Sequence, residues 1–224
     1  MEGIRMEQSL LKLSAVLGPS VFDTAYMVFF TMILSTALGF VIAVALYYTD
    51  KEGLRPNALI YSVLDVFINI VRSFPFIILV VAVIPLTRGI VGGVIGRTAA
   101  LVPLTISGTA TVARLLENSF REVGRPLIEA IRSFGASDYQ IMKEVVLVEA
   151  APLVIVNLTV AIIGIIGTTS AAGTVGAGGL GSVAINYGYN SFDSVIMYGT
   201  VLVIILIVHC AQFVGNYLYK QSLR

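Results

Sequence analysis

The sequence predicts an all-α membrane protein of about five transmembrane helices, and three observations carry that expectation. Of its 224 residues, 57% are hydrophobic and 12% charged, where a soluble domain carries roughly 25% charged residues. The mean hydropathy is +0.94; a core of this size cannot hide so much apolar surface, so lipid must solvate the remainder. Five apolar stretches reach the ~20 residues that a bilayer-crossing helix needs, at about 21–48, 57–86, 98–120, 150–172 and 193–217.

Ahead of the first span, in residues 1–20, Leu10, Leu11, Leu13, Val16 and Leu17 predict an amphipathic segment lying at the outer membrane surface. Lys12 interrupts its apolar run and no A-x-A site follows, so it does not have the pattern of a cleaved signal peptide. The second span holds two charges, Asp65 and Arg72. They are seven residues apart, two turns along a similar helix face. Pro75 follows Arg72 and frees a carbonyl near it. Arg72 is therefore expected to satisfy loosened carbonyls or to pair with a carboxylate, holding a bent helix; the alternative is a residue that faces a polar pathway. In the fifth span, His209 and Cys210 are the sole histidine and cysteine. They are read as helix-surface or packing residues, and a single cysteine excludes an internal disulfide.

Lysines and arginines set the orientation. With the long connection between spans three and four in the cytoplasm, that side holds Lys51, Arg55, Arg114, Arg121, Arg125, Arg132, Lys143, Lys220 and Arg224. The other side holds Arg5, Lys12, Arg88 and Arg97. The N-terminus is expected outside, and residues 218–224 form a cytoplasmic tail. An odd number of spans cannot be two equal inverted halves, so a transport pathway would form most simply on the axis of a homodimer. Near-balance of 14 basic and 13 acidic residues leaves no basic field for nucleic acid.

The long connection contains EAIRSFGASDYQ, Glu129 to Gln140. Pro126 fits the first turn of a helix, and Glu129 suits its positive end. Leu127, Ile128, Ala130, Ile131 and Phe134 supply an apolar face. Gly135 predicts a left-handed helix stop, and Ser137 with Gln140 predicts a capping box that starts a second helix at once. Such a corner is either an interfacial helix pair on the headgroups or a surface for docking another protein.

The stretch E-A-I-x-x-x-G, Glu129–Gly135, resembles the EAA loop of permease subunits in bacterial ABC importers, a signature continued by I-x-L-P. Val145 and Leu147 stand at its Ile and Leu positions. Ile131 replaces an alanine and Val148 the proline, a role open to Pro152. NIVRSFPFIIL (69–79), VPLTI (102–106), VGAGGLG (175–181) and NYGY (186–189) resemble the methionine-uptake branch. The resemblance implies a type I importer permease domain over 21–217 with a coupling loop at 121–149 in a bacterial cytoplasmic membrane. Pro126, Glu129, Ala130, Gly135, Ala136, Ser137 and Gln140 would then engage the ATPase. It implies as partners two copies of a cytoplasmic ATPase, an extracytoplasmic substrate-binding protein and a second copy of this chain. Arg72, Ser73 and Pro75, with Gly176, Gly178, Gly179 and Gly181, become candidates for the pathway or its outer gate. A permease of the same family for another amino acid or small molecule, or an ion-driven secondary transporter, is the competing reading.

Gly176, Gly178 and Gly181 satisfy G-x-G-x-x-G, yet no strand precedes them and no acid lies about 20 residues on, as a dinucleotide site requires. No G-x-x-x-x-G-K-[ST] is present. No cofactor is expected on this chain, ATP-Mg belonging to the partner, and nothing in the pattern suggests an enzyme.

Overall fold

In the computed structural model, which describes residues 2–223 apart from the side chains of residues 2–5 and Gln8, helix α1 runs unbroken from Glu2 to Thr49. At 1.5 Å per residue its 48 residues extend about 72 Å, more than twice a bilayer core. No break separates residues 2–20 from the span. Pro19 lies inside the helix, and Leu13, Val16 and Leu17 pack on Val183 and Ile196, so tertiary contact holds a turn that proline weakens. Arg224 and the Arg5 side chain, counted above for orientation, lie outside the described residues.

The core of α1 is a stripe at three- and four-residue spacing: Thr24, Met27, Thr31, Ser35, Gly39, Ala43 and Leu46, all buried. Its small members lie against α5 (Arg97–Arg121). Lipid tails offer no hydrophobic drive between helices, so close backbone packing takes its place. Away from this stripe α1 exposes Phe29, Ile33 and Leu38, and the last helix (Ser194–Ser222) exposes Leu206 and Phe213, an inversion of soluble patterning.

The second span is not one straight helix. Helix α2 (Ala58–Ser73) stops, Phe74 is extended with φ −73° and ψ 127°, and α3 (Phe76–Ala82) leaves at 108° to it. Proline at 75 biases its predecessor out of the helical region, which supplies the break. Helix α4 (Ile84–Val91) then leads by a glycine turn to α5. Four helices among the described residues are long and apolar enough to cross a membrane, five if the bent pair is one span.

After α5 come α6 (Arg125–Ser133), α7 (Asp138–Gln140), a π-helical run Ile141–Val146, α8 (Leu147–Glu149) and α9 (Ala151–Gly173). Pro152 sits in the first turn of α9. The side-chain amide of Asn157 donates to the Leu115 carbonyl at 3.1 Å and to Ser119 Oγ at 2.8 Å, tying α9 to α5. Helix α10 (Gly179–Ser182), a second π-helical run (Val183–Tyr189) and α11 (Ser194–Ser222) complete the chain.

Candidate functional site

The corner between α6 and α7 follows from local chemistry. Pro126 occupies the first turn of α6. The helix closes with the Phe134 N–H donating to the Ile131 carbonyl at 3.2 Å and the Gly135 N–H to that of Arg132 at 3.0 Å. Gly135 then takes φ +89°, a region that a side chain disfavours. At Ser137 the chain is extended, and the capping box is complete. The Gln140 N–H donates to Ser137 Oγ at 3.3 Å, and the Ser137 N–H to Gln140 Oε1 at 2.9 Å.

The apolar face of α6 divides in two. Ile128, Ile131 and Ala136 pack on the core that contains Ile141, Met142 and Phe120. Leu127, Ala130 and Phe134 face away, Phe134 being 87% exposed and Tyr139 68%. Glu129 is also exposed, near Arg125 at 3.9 Å. Exposed aromatics grouped at a rigid corner form a surface that favours protein contact.

Asp138 fixes this corner to the loop after α1. Arg55 Nε meets its carboxylate at 2.6 Å and Arg132 at 2.9 Å, while the Tyr48 hydroxyl donates to its carbonyl at 3.1 Å. The hydrogen bond from Arg55, with the charge of Arg132 beside it, holds the Asp138 carboxyl below the usual carboxylate range. Sequence reasoning missed Asp138, because its partner Arg55 comes from 83 residues away.

It missed a second group too. Glu117 of α5 has no solvent exposure. One of its oxygens meets Arg114 at 2.7 Å, the other Arg121 at 2.8 Å. Arg114 reaches Asp65 on α2 and Arg121 reaches Asp50 beyond α1. The spacing Arg114, Glu117, Arg121 on one helix face was the available signal.

This arrangement corrects the expectation for Arg72. Asp65 pairs with Arg114 and accepts from the Asn69 side chain at 3.0 Å. Arg72 is exposed and has no hydrogen-bond or ion-pair partner among the described residues. Ser73 Oγ donates to the Asn69 carbonyl at 2.7 Å. With Pro75, Asn69 and Ile78, Ser73 lines an open groove of about 520 Å³ on the bend.

The glycine segment lies at the other end of α1 and α5. Gly176 accepts from the Gly96 N–H at 2.9 Å. Gly178 lies beside Asp23 and Gly179 against Thr24, whose hydroxyl accepts from the Leu180 N–H at 2.9 Å. Gly181 packs on the backbone of Ser170. Arg97 meets Asp23 at 2.6 Å and stacks over Phe22 and Tyr26, a clasp that sequence reasoning also missed. The structure thus brings the glycines together in one segment packed on α1, α5 and α9.

Residues 35–222 match the family of binding-protein-dependent transport system inner membrane components. The chain is 42% identical over 208 residues to a probable D-methionine transport system permease protein of Vibrio cholerae, covering 93% of this chain and 92% of that one. It is 37% identical over 171 residues to the methionine import system permease protein of Bacillus subtilis, covering 76% and 77%. Its fold matches a chain of an inward-facing methionine ABC transporter with a TM-score of 0.92 at 36% identity, covering 95% of this chain and 99% of that one.

Proposed function

The chain belongs to the family of binding-protein-dependent transport system inner membrane components, and from that premise we infer that it is the permease subunit of an ATP-driven methionine importer. The observation that carries this reading is agreement in sequence and fold along nearly its whole length with methionine-transporter permeases. It is a multi-pass inner-membrane subunit, and ATP is hydrolysed on a separate ATPase subunit. In a finer reading, two copies form the pathway on a two-fold axis and an extracytoplasmic binding protein delivers the amino acid. The exposed corner of Leu127, Ala130, Phe134 and Tyr139 seats in the ATPase, supported by its rigidity and its resemblance to the EAA loop. ATP closes the ATPase pair, the corners move with it, and the permeases rock between outward and inward states. Proteoliposomes containing the permease, with and without ATPase and binding protein, test the scheme with labelled methionine. Concentrative uptake by the permease alone would sink it and favour an ion-driven transporter.

Orientation has its own test. The charge bias places Ser137 inside and Asn190 outside. Cysteines introduced there, in a Cys210→Ser background, are expected to react with an impermeant thiol reagent from opposite sides. Labelling of both from one side would overturn the arrangement.

Arg72, exposed and unpaired among the described residues, suits a pathway role beside the substrate carboxylate. Arg72→Ala is expected to leave yield and thermal stability unchanged while methionine uptake falls. A drop in stability with uptake intact would return Arg72 to a structural role.

A further inference from the structure

A continuous series of polar contacts joins the α6–α7 corner to the bend of α2. It starts at Asp138, bound by Arg55 at 2.6 Å. Arg55 and Asp50 share one tight loop, closed by the Gly53 N–H donating to the Asp50 carbonyl and the Arg55 N–H to that of Tyr48, both at 2.9 Å. Asp50 holds Arg121, Arg121 and Arg114 share Glu117, and Arg114 holds Asp65. Asn69, bound to Asp65, accepts through its carbonyl from Ser73 beside the break.

The centre of the series is the unusual part. Glu117 is fully buried, and removing a carboxylate from water is costly unless both oxygens are paired. Apolar side chains of similar volume often match or exceed the stability of such a group, so stability alone is a weak account of it. What the carboxylate does supply is geometry: it fixes two arginines relative to each other. Arg121 grips Asp50 of the loop and the Tyr61 hydroxyl of α2 at 2.8 Å, and Arg114 grips Asp65 and Asn69 further along α2. The Tyr61 hydroxyl also donates to Glu117 at 3.3 Å.

Resting on the import reading above, we propose that Glu117 is a positioning residue that joins Arg114 and Arg121 into one rigid relay, carrying movement of the ATPase-bound corner to α2. Motion at the corner pulls the loop after α1 through Asp138 and Arg55. Asp50 passes it to Arg121, and from there it reaches α2 at Tyr61 and, by way of Glu117 and Arg114, at Asp65. The bend of α2, with Asn69, Ser73 and Arg72, shifts in step with the ATPase.

The test uses the whole complex in proteoliposomes and reads methionine taken up per ATP hydrolysed, together with the thermal midpoint. Asp50→Asn cuts the relay at the loop, and Asp65→Asn combined with Tyr61→Phe cuts it at α2, since Tyr61 also ties Arg121 and Glu117 to that helix; Glu117→Gln, cutting the middle, replaces either one that does not assemble. Each is expected to lower the ratio roughly 2- to 30-fold, the range of coupling changes along such networks. Both cuts together are expected to fall no further than the worse one alone, because a series relay breaks once. Independent, additive losses would overturn the relay, as would wild-type ratios with either cut alone. Loss of assembled complex in all three variants would also overturn it, leaving a structural clamp. Uptake by the wild-type complex that does not depend on ATP would instead sink the import reading.

Discussion

Gly181→Val is expected to lower the yield and thermal midpoint of folded protein, while Gly164→Val leaves both intact. A Cβ at Gly181 would lie 2.1 Å from the Ser170 carbonyl oxygen and 2.5 Å from its Cα. These are backbone atoms of α9, which cannot rotate aside as a side-chain tip can. From the α9 side, a Cβ at Gly173 would sit 2.4 Å from the Ser182 nitrogen, so the two elements cross backbone on backbone. Relief requires α10 to move off α9, breaking the Leu180–Thr24 hydrogen bond that ties it to α1. Overpacking typically costs 1–3 kcal/mol, and with backbone on both sides about 3 kcal/mol is expected here. Gly164, on the same helix, has nothing within 4 Å of the place a Cβ would take. Yield of monodisperse protein and its thermal midpoint decide the matter; equal values for the two variants would show that α10 shifts freely.

Much of this architecture was legible because lipid imposes strong local rules. The stretch expected as the third span, 98–120, lies within helix α5 at Arg97–Arg121, one of the helices long and apolar enough to cross a membrane, since length and apolarity suffice to mark such a helix. The α6–α7 corner was legible for a different reason: a glycine stop and a capping box act over three or four residues. Asp65 and Arg72 show where that reasoning ends. Seven residues of helix separate two side chains by about 10.5 Å along the axis, too far for a direct bond without both reaching. A residue 49 positions away, Arg114, takes the carboxylate instead. Pro75 signalled a disturbed helix, but a 108° turn depends on what α3 packs against. The π-helical runs at Ile141–Val146 and Val183–Tyr189 carried no recognised signal at all.

Gly135→Asp is expected to leave the permease inserted and folded but to detach or uncouple its ATPase. The fold has room for the change, because nothing lies within 4 Å of a Cβ at this position. Two other penalties apply. At φ +89° a residue with a Cβ costs roughly 1–2 kcal/mol, toward the lower end for aspartate, which tolerates this region better than most. Its charge also enters the exposed corner between Phe134 and Tyr139, where a protein contact would strip it of water. Against the folding of a whole transmembrane domain this is small. Against docking it is large, since about 1.4 kcal/mol is tenfold in affinity. Gly135→Ala, which carries a backbone cost at least as large but no charge, isolates the backbone effect and is expected to fall between the mutant and the wild type if the charge dominates. Co-purification of the ATPase and methionine uptake per ATP provide the two readouts. If Gly135→Asp holds its ATPase and transports at the normal rate, the corner is not the handle through which the ATPase acts.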